Sequence, residues 1–203
     1  MIVIIDYGVG NLASVKNALD KLGVESKISS DTYVIKNAKA LILPGVGAAG
    51  QGMKNLKKLG LDKVIVEEIK KGKPFLGICL GMQLLFENSE EGKIKCLGIL
   101  QGEVKKFKKL RKVPQIGWNQ VDINKDSKLF SNIDNKSYFY FVNSFYCLPK
   151  DKKTVAGLTD YGETFASIVI KKNITGVQFH PEKSGCVGFK LLENFVKGVR
   201  NVS

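Results

Sequence analysis

The residues best suited to covalent chemistry lie at Gly77-Ile78-Cys79-Leu80-Gly81, a cysteine held in the G-x-nucleophile-x-G frame between an apolar run and a helix start. Glycines on both sides suit a sharp strand-to-helix turn, which strains the backbone of the central residue and leaves no room for bulky neighbours. A cysteine on such a turn sits at a helix N-terminus, where free N–H groups favour a thiolate and the oxyanion of a tetrahedral intermediate. The chemistry is then acyl transfer through a thioester. Taken alone, the pentapeptide is equally a small cysteine filling core space.

A thiol nucleophile needs a base, and the chain has one histidine, His180, in Phe179-His180-Pro181-Glu182-Lys183-Ser184. Lone histidines are often structural, but this is the only side chain whose unperturbed pKa suits proton transfer near neutral pH. Glu182 follows two residues later. In extended backbone such neighbours share a face, so its carboxylate would hold the imidazole in the required tautomer, and Pro181 between them fixes the backbone. The competing reading of Glu182 is a surface glutamate. At Leu43-Pro44-Gly45-Val46-Gly47 another apolar run ends in a glycine-rich turn whose N–H groups would complete an oxyanion hole with that of Leu80. An ordinary turn fits that spacing as well.

The elements needed to bring these segments together follow from the apolar pattern. Ile2 to Asp6, Ala40 to Leu43 and Pro74 to Ile78 read as strands, while Leu12, Val15, Leu19 and Leu22, then Val64, Ile65 and Ile69, recur at helical spacing. This alternation predicts α/β architecture, a mostly parallel central sheet flanked by helices. The second half changes character. Tyr138 to Val142 is an aromatic strand, and Phe165 to Ile170 returns through Lys171-Lys172-Asn173 to Ile174 to Phe179 as a hairpin, so antiparallel strands are expected there. Phe189, Leu192, Val196 and Val199 share one helical face that would cover the sheet. No repeat or low-complexity linker divides the chain, and residues 1–203 read as a single domain.

Composition narrows the class. With 203 residues, 44% hydrophobic and 25% charged, the sequence fits a globular protein, and no apolar run reaches the roughly 20 residues of a membrane span. The start reads as a strand meeting an acid, so no secretory signal and no membrane partner are expected. Cys79, Cys96, Cys147 and Cys186 form no C-x-x-C pair, which predicts neither a metal site nor a redox motif and suits a cytoplasmic protein. The net charge of +13 concentrates in segments such as Val104 to Lys112. Without aromatic interleaving or a recognition motif, these lysines read as a solvated face rather than a nucleic-acid site.

Gly77 to Gln83, Pro44 to Gly47 and Phe179 to Glu182, in this order and spacing, resemble the triad (class I) glutamine amidotransferases. Within them, Asp6 to Leu12, Gln115-Ile116-Gly117-Trp118-Asn119 and the H-P-E-K-S segment are similar to the glutaminase subunits of imidazole glycerol phosphate synthases. The resemblance implies Cys79 as nucleophile, His180 as acid and base, and Glu182 as the orienting acid. It further implies oxyanion donors at Val46, Gly47 and Leu80, substrate contact by Gln83, no cofactor, and L-glutamine as substrate. The implied partner is a (β/α)8 cyclase subunit forming a heterodimer, faced by Trp118, Asn119 and Lys183, although Lys183 is equally one surface lysine among many. Two positions depart from the family pattern: Asn143 stands where F-V-H-S-Y has histidine, and Ala49 where an aromatic is common. Both leave the triad intact. They keep open a paralogous role, supplying ammonia for amidation in cell-surface sugar synthesis.

Two unrelated readings remain. Gly8-Val9-Gly10-Asn11-Leu12-Ala13 satisfies the G-x-G-x-x-A dinucleotide frame, with Asp31 as a loosely placed acid. A scaffold built on the basic surface would make the triad coincidental.

Overall fold

A computed structural model describes residues 1–108 and 111–200; Lys109 and Leu110, inside the basic segment singled out above, lie outside the described residues. The first half builds β1 (Ile2–Ile5), α1 (Leu12–Lys21), β2 (Ser26–Ser29), α2 (Thr32–Lys36), β3 (Ala40–Gly45), α3 (Ala49–Lys58), α4 (Leu61–Lys70), β4 (Phe75–Cys79) and the single-turn α5 (Leu80–Gln83). The second half adds β5 (Asn88–Ser89), β6 (Ile94–Lys95), β7 (Gly102–Lys106), β8 (Gln115–Ile123), β9 (Ser137–Asn143), β10 (Phe145–Pro149), β11 (Val155–Asp160), β12 (Thr164–Lys171), β13 (Ile174–Val177) and α6 (Gly185–Arg200).

One sheet runs β2-β1-β3-β4-β13-β12-β10-β7-β5-β6, with β11 joining β12 to β8, and β8 pairing with β9. The five strands from β2 to β13 are parallel, and from β13 onward antiparallel pairs dominate. β1, β3 and β4 are buried at every position, the continuous apolar run expected of strands covered on both faces. On one face Val15 and Leu19 of α1 pack with Leu192 and Val196 of α6. On the other, Met53 and Leu56 of α3 pack with Val64 and Ile65 of α4. Phe189, expected on the buried face of the last helix, is only half-buried; Leu191 and Phe195 are buried with Leu192, Val196 and Val199.

The hairpin decides the site. β12 turns through Lys172 and Asn173 with Lys171 opposite Ile174, and β13 then lies parallel to β4 with Val177 opposite Ile78. Asn173 fastens the turn to the start of β4: its amide donates to the carbonyls of Ile69 and Lys73 at 2.9 and 2.7 Å, and its own carbonyl accepts from Phe75 N–H. A late strand is thereby placed beside the one carrying the cysteine.

Candidate active site

β3, β4 and β13 end side by side at one edge of the sheet, and each delivers one part of the site. Cys79 closes β4 with φ +53°, a conformation that L residues rarely adopt and that costs about 1–3 kcal/mol. The two glycines of the frame make that turn physically possible. A Cβ on Gly77 would press on the backbone of Gly81, and one on Gly81 would overlap the Leu43 carbonyl oxygen. The elbow is thus packed backbone to backbone against β3, which leaves the Cys79 thiol and the N–H of Leu80 at the mouth of the sheet.

His180 follows β13 in extended backbone, but Pro181–Lys183 is one 3-10 turn and not the extended segment expected from sequence. Pro181, at the first position of that turn, supplies the fixed φ it needs. The Ser184 hydroxyl donates to the His180 carbonyl at 2.6 Å and accepts from Tyr140 N–H at 3.0 Å, while His180 N–H donates to the Tyr140 carbonyl. Strapped to β9 in this way, the turn folds Glu182 back so that its Oε1 lies 2.8 Å from His180 Nδ1. Both side chains are almost wholly buried. Cys79 is the other group that acts on the imidazole. Burial pulls the imidazole pKa down, but hydrogen bonds and charge from Cys79 and Glu182 outweigh it and hold the group raised, at about 10.

The sulfur has two further neighbours. The Val142 carbonyl at the end of β9 lies 3.8 Å away, and the buried Gln178 amide donates to it at 3.6 Å. Gln178 Oε1 accepts from Gln83, whose amide also donates to the Phe145 carbonyl, both at 3.1 Å. Because the Gln83 amide hydrogens are thus occupied, its acceptor oxygen is the group left for a ligand. Gln178 was not anticipated from sequence; a buried residue just past β13 and two before the histidine, it carries no pattern of its own.

Cys79 faces a cavity of about 370 Å³ whose walls also include Val46, Gly47, Leu80, Gln83, Val142, Asn143 and Phe145. Glu91 is the one carboxylate in the lining, also unanticipated, and it accepts from Ala49 N–H at 2.7 Å. A larger open groove between α1 and α6, about 870 Å³, reaches Glu182 from behind but contains neither sulfur nor imidazole. The other cysteines are poorly suited to compete: burial pushes Cys147 well up and Cys96 up to about 11, while Cys186 is exposed at the start of α6.

The class-I glutamine amidotransferase family model matches residues 3–199. The chain belongs to that family. The "Imidazole glycerol phosphate synthase subunit HisH" of Dehalococcoides mccartyi (strain CBDB1) is 50% identical over 198 residues, covering 97% of each chain. That of Aquifex aeolicus is 51% identical over 195 residues, 95% of this chain and 94% of its own. Among solved structures, one titled as a glutamine amidotransferase superposes with TM-score 0.78 at 19% identity, covering 98% of this chain and all of its own. PurLQS from Thermotoga maritima superposes at 0.74 with 18% identity, covering 99% and 97%. At such identities these structures establish the fold, a mixed sheet with flanking helices.

The amidotransferase uses its other motifs differently from the rival readings. Gly10 in the dinucleotide-like frame packs against Pro44 and Gly45, so its missing side chain serves contact with the glycine turn. Asp31 caps α2 by accepting from Tyr33 N–H at 2.8 Å. In the basic segment Lys105 pairs with Glu103 at 3.1 Å on the surface. No helix is long and apolar enough to cross a membrane, and no cluster of candidate metal ligands occurs among the described residues.

Proposed function

We propose that this chain is the glutaminase subunit of an imidazole glycerol phosphate synthase, releasing ammonia from L-glutamine for a cyclase subunit in histidine biosynthesis. The observation that carries the chemistry is the convergence of Cys79, His180 and Glu182 at the carboxyl ends of β4 and β13, with Glu182 hydrogen-bonded to the imidazole and Cys79 acting on it. The assignment to the histidine pathway, over sugar amidation, rests on near-full-length relatives named for that synthase.

The Cys79 sulfur adds to the carboxamide carbon, and the carbonyl oxygen becomes an oxyanion received by the N–H groups of Leu80 and of the Val46–Gly47 turn. His180 gives its proton to the amide nitrogen as the C–N bond breaks, which yields ammonia and a γ-glutamyl thioester. The same imidazole then takes a proton from water, hydroxide adds to the thioester, and glutamate leaves with the thiolate restored. Glu182 keeps the imidazole tautomer and balances its charge. Glu91 receives the α-ammonium of glutamine, and the Gln83 oxygen takes an N–H from the substrate.

The partner surface is an apolar stripe beginning at the site. Register places Ile116 opposite Val142 and Trp118 opposite Tyr140, with Tyr138 further along; Ile116, Trp118, Tyr138 and Val142 are exposed. The Trp118 ring reaches toward Gly185, which links this stripe to exposed Lys183. Asn119 contributes less to a docking face, because its amide donates to the Asp160 carbonyl at 2.8 Å. Strand β9 therefore carries both the Val142 carbonyl that meets the sulfur and the exposed Tyr138 and Val142 side chains of the stripe, and docking is the natural trigger for full hydrolysis. Glutamate release by the wild-type chain with a cyclase subunit and its ligand, absent in Cys79→Ala, is the expected result. Turnover by Cys79→Ala would overturn the assignment.

A further inference from the structure

Tyr7 is fully buried, and its hydroxyl has no hydrogen-bond partner among the described residues. A buried hydroxyl without a partner is costly, so a partner in a second conformation is the first explanation to test. The location names the partner. A Cβ on Gly45 would collide with the Tyr7 oxygen and press on Leu80, so that oxygen lies against the Gly45 backbone, beside the elbow. The Tyr7 carbonyl accepts from Asn55 at 2.9 Å and the ring packs on Gly52, which fixes the phenol from the α3 side. Burial, with the nearby Cys79 charge, raises its pKa far above the ordinary tyrosine value, so the group is a hydrogen-bond donor at any working pH.

The two sides of the sheet matter. Cys79 belongs to the core cluster on one face and Tyr7 to that on the other, with Gly45 at the strand end between them. A peptide's N–H and C=O point in opposite directions. If the Gly45–Val46 peptide turns its N–H toward Cys79, its carbonyl turns toward Tyr7.

We propose that Tyr7 is a positioning residue for the oxyanion hole, its hydroxyl donating to the Gly45 carbonyl when the Val46 N–H is aimed at the substrate oxygen. The inference rests on the glutaminase reading above. Tyr7 touches no reacting atom. It favours the competent orientation of one donor, and it gains its missing partner only in that state.

The test is Tyr7→Phe, which deletes the oxygen and keeps the ring. In the presence of the cyclase subunit and its ligand, kcat for glutamate release should fall about 10-fold, a fraction of the roughly 10²–10³ lost with a whole oxyanion donor, while KM for glutamine stays within about 2-fold. Affinity for an aldehyde analogue of glutamine, which forms a tetrahedral adduct with Cys79, should fall by the same factor. The melting temperature should hold or rise, because an unsatisfied polar atom has been removed. A double variant supplies the independent check: in a Val46→Pro background, which lacks the N–H, adding Tyr7→Phe should cost nothing more. Full stimulated kcat and unchanged adduct affinity in Tyr7→Phe, or equal losses in both backgrounds, would overturn the proposal. A wild-type chain without glutaminase activity would instead remove the functional reading beneath it.

Discussion

The imidazole of His180 has two partners, Glu182 Oε1 at 2.8 Å on Nδ1 and the Cys79 thiol, all three side chains buried or nearly so. In the proposed mechanism Glu182 acts through the imidazole. Glu182→Gln keeps size but removes the charge and permits the wrong tautomer, and kcat should drop about 10²- to 10⁴-fold with KM nearly unchanged. Steady-state glutaminase kinetics on the assembled enzyme check this.

The same relationship sets a pH signature. The folded imidazole pKa, about 10, lies above the ordinary value of about 6.5. A proton bound more tightly in the folded state contributes stability that is fully present below about pH 6.5 and is lost as pH rises through about 10. Since the chain has one histidine, its proton NMR titration is unambiguous. Cys79→Ala should move the midpoint downward; a midpoint that does not move would show that the sulfur is no partner.

Gly81→Ala places a methyl group where the Leu43 carbonyl oxygen already is. Relief requires β3 and the elbow to part, and overpacking of this kind costs about 1–3 kcal/mol. Thermal melting should show the loss, and activity should fall further than melting predicts because the Leu80 N–H moves with the backbone.

Glu91→Gln keeps an acceptor for Ala49 N–H but removes the negative charge from the cavity. The KM for glutamine should rise about 10- to 100-fold, matching the roughly 1.5–3 kcal/mol of a hydrogen bond to a charged group, with kcat little changed. An unchanged KM would place the α-ammonium elsewhere.

Trp118 is 55% exposed and meets Tyr140 edge-on at 5.9 Å. Trp118→Ala should leave the melting temperature of the isolated chain nearly unaltered yet weaken binding to the cyclase subunit by about 2 kcal/mol, roughly 30-fold. Calorimetric titration of the two subunits measures it.

Sequence pattern reached the elements whose burial is complete. β1, β3 and β4 announced themselves as unbroken apolar runs, and the β12–β13 hairpin through its short polar turn. By contrast α3 went unread, because its inward face is Ala49, Gly52, Met53 and Leu56, two of them too small to mark a period. β2, the polar edge strand Ser26–Ser29, gave no signal either. At the site, Cys79, His180 and Glu182 were legible from residue type, but the 3-10 turn that joins the last two was not, since it depends on Ser184 bridging to β9. Tyr7, Glu91 and Gln178 acquire meaning only from neighbours distant in sequence.

Because β13 supplies both the neighbour of β4 and the lead into His180, nucleophile and base stay apart until residues from the last fifth of the polypeptide have taken their place. A nascent or prematurely terminated chain would carry the thiol without its proton carrier. On the proposed mechanism, synthesis itself therefore guards glutamine, since an unfinished copy lacks the base that hydrolysis needs.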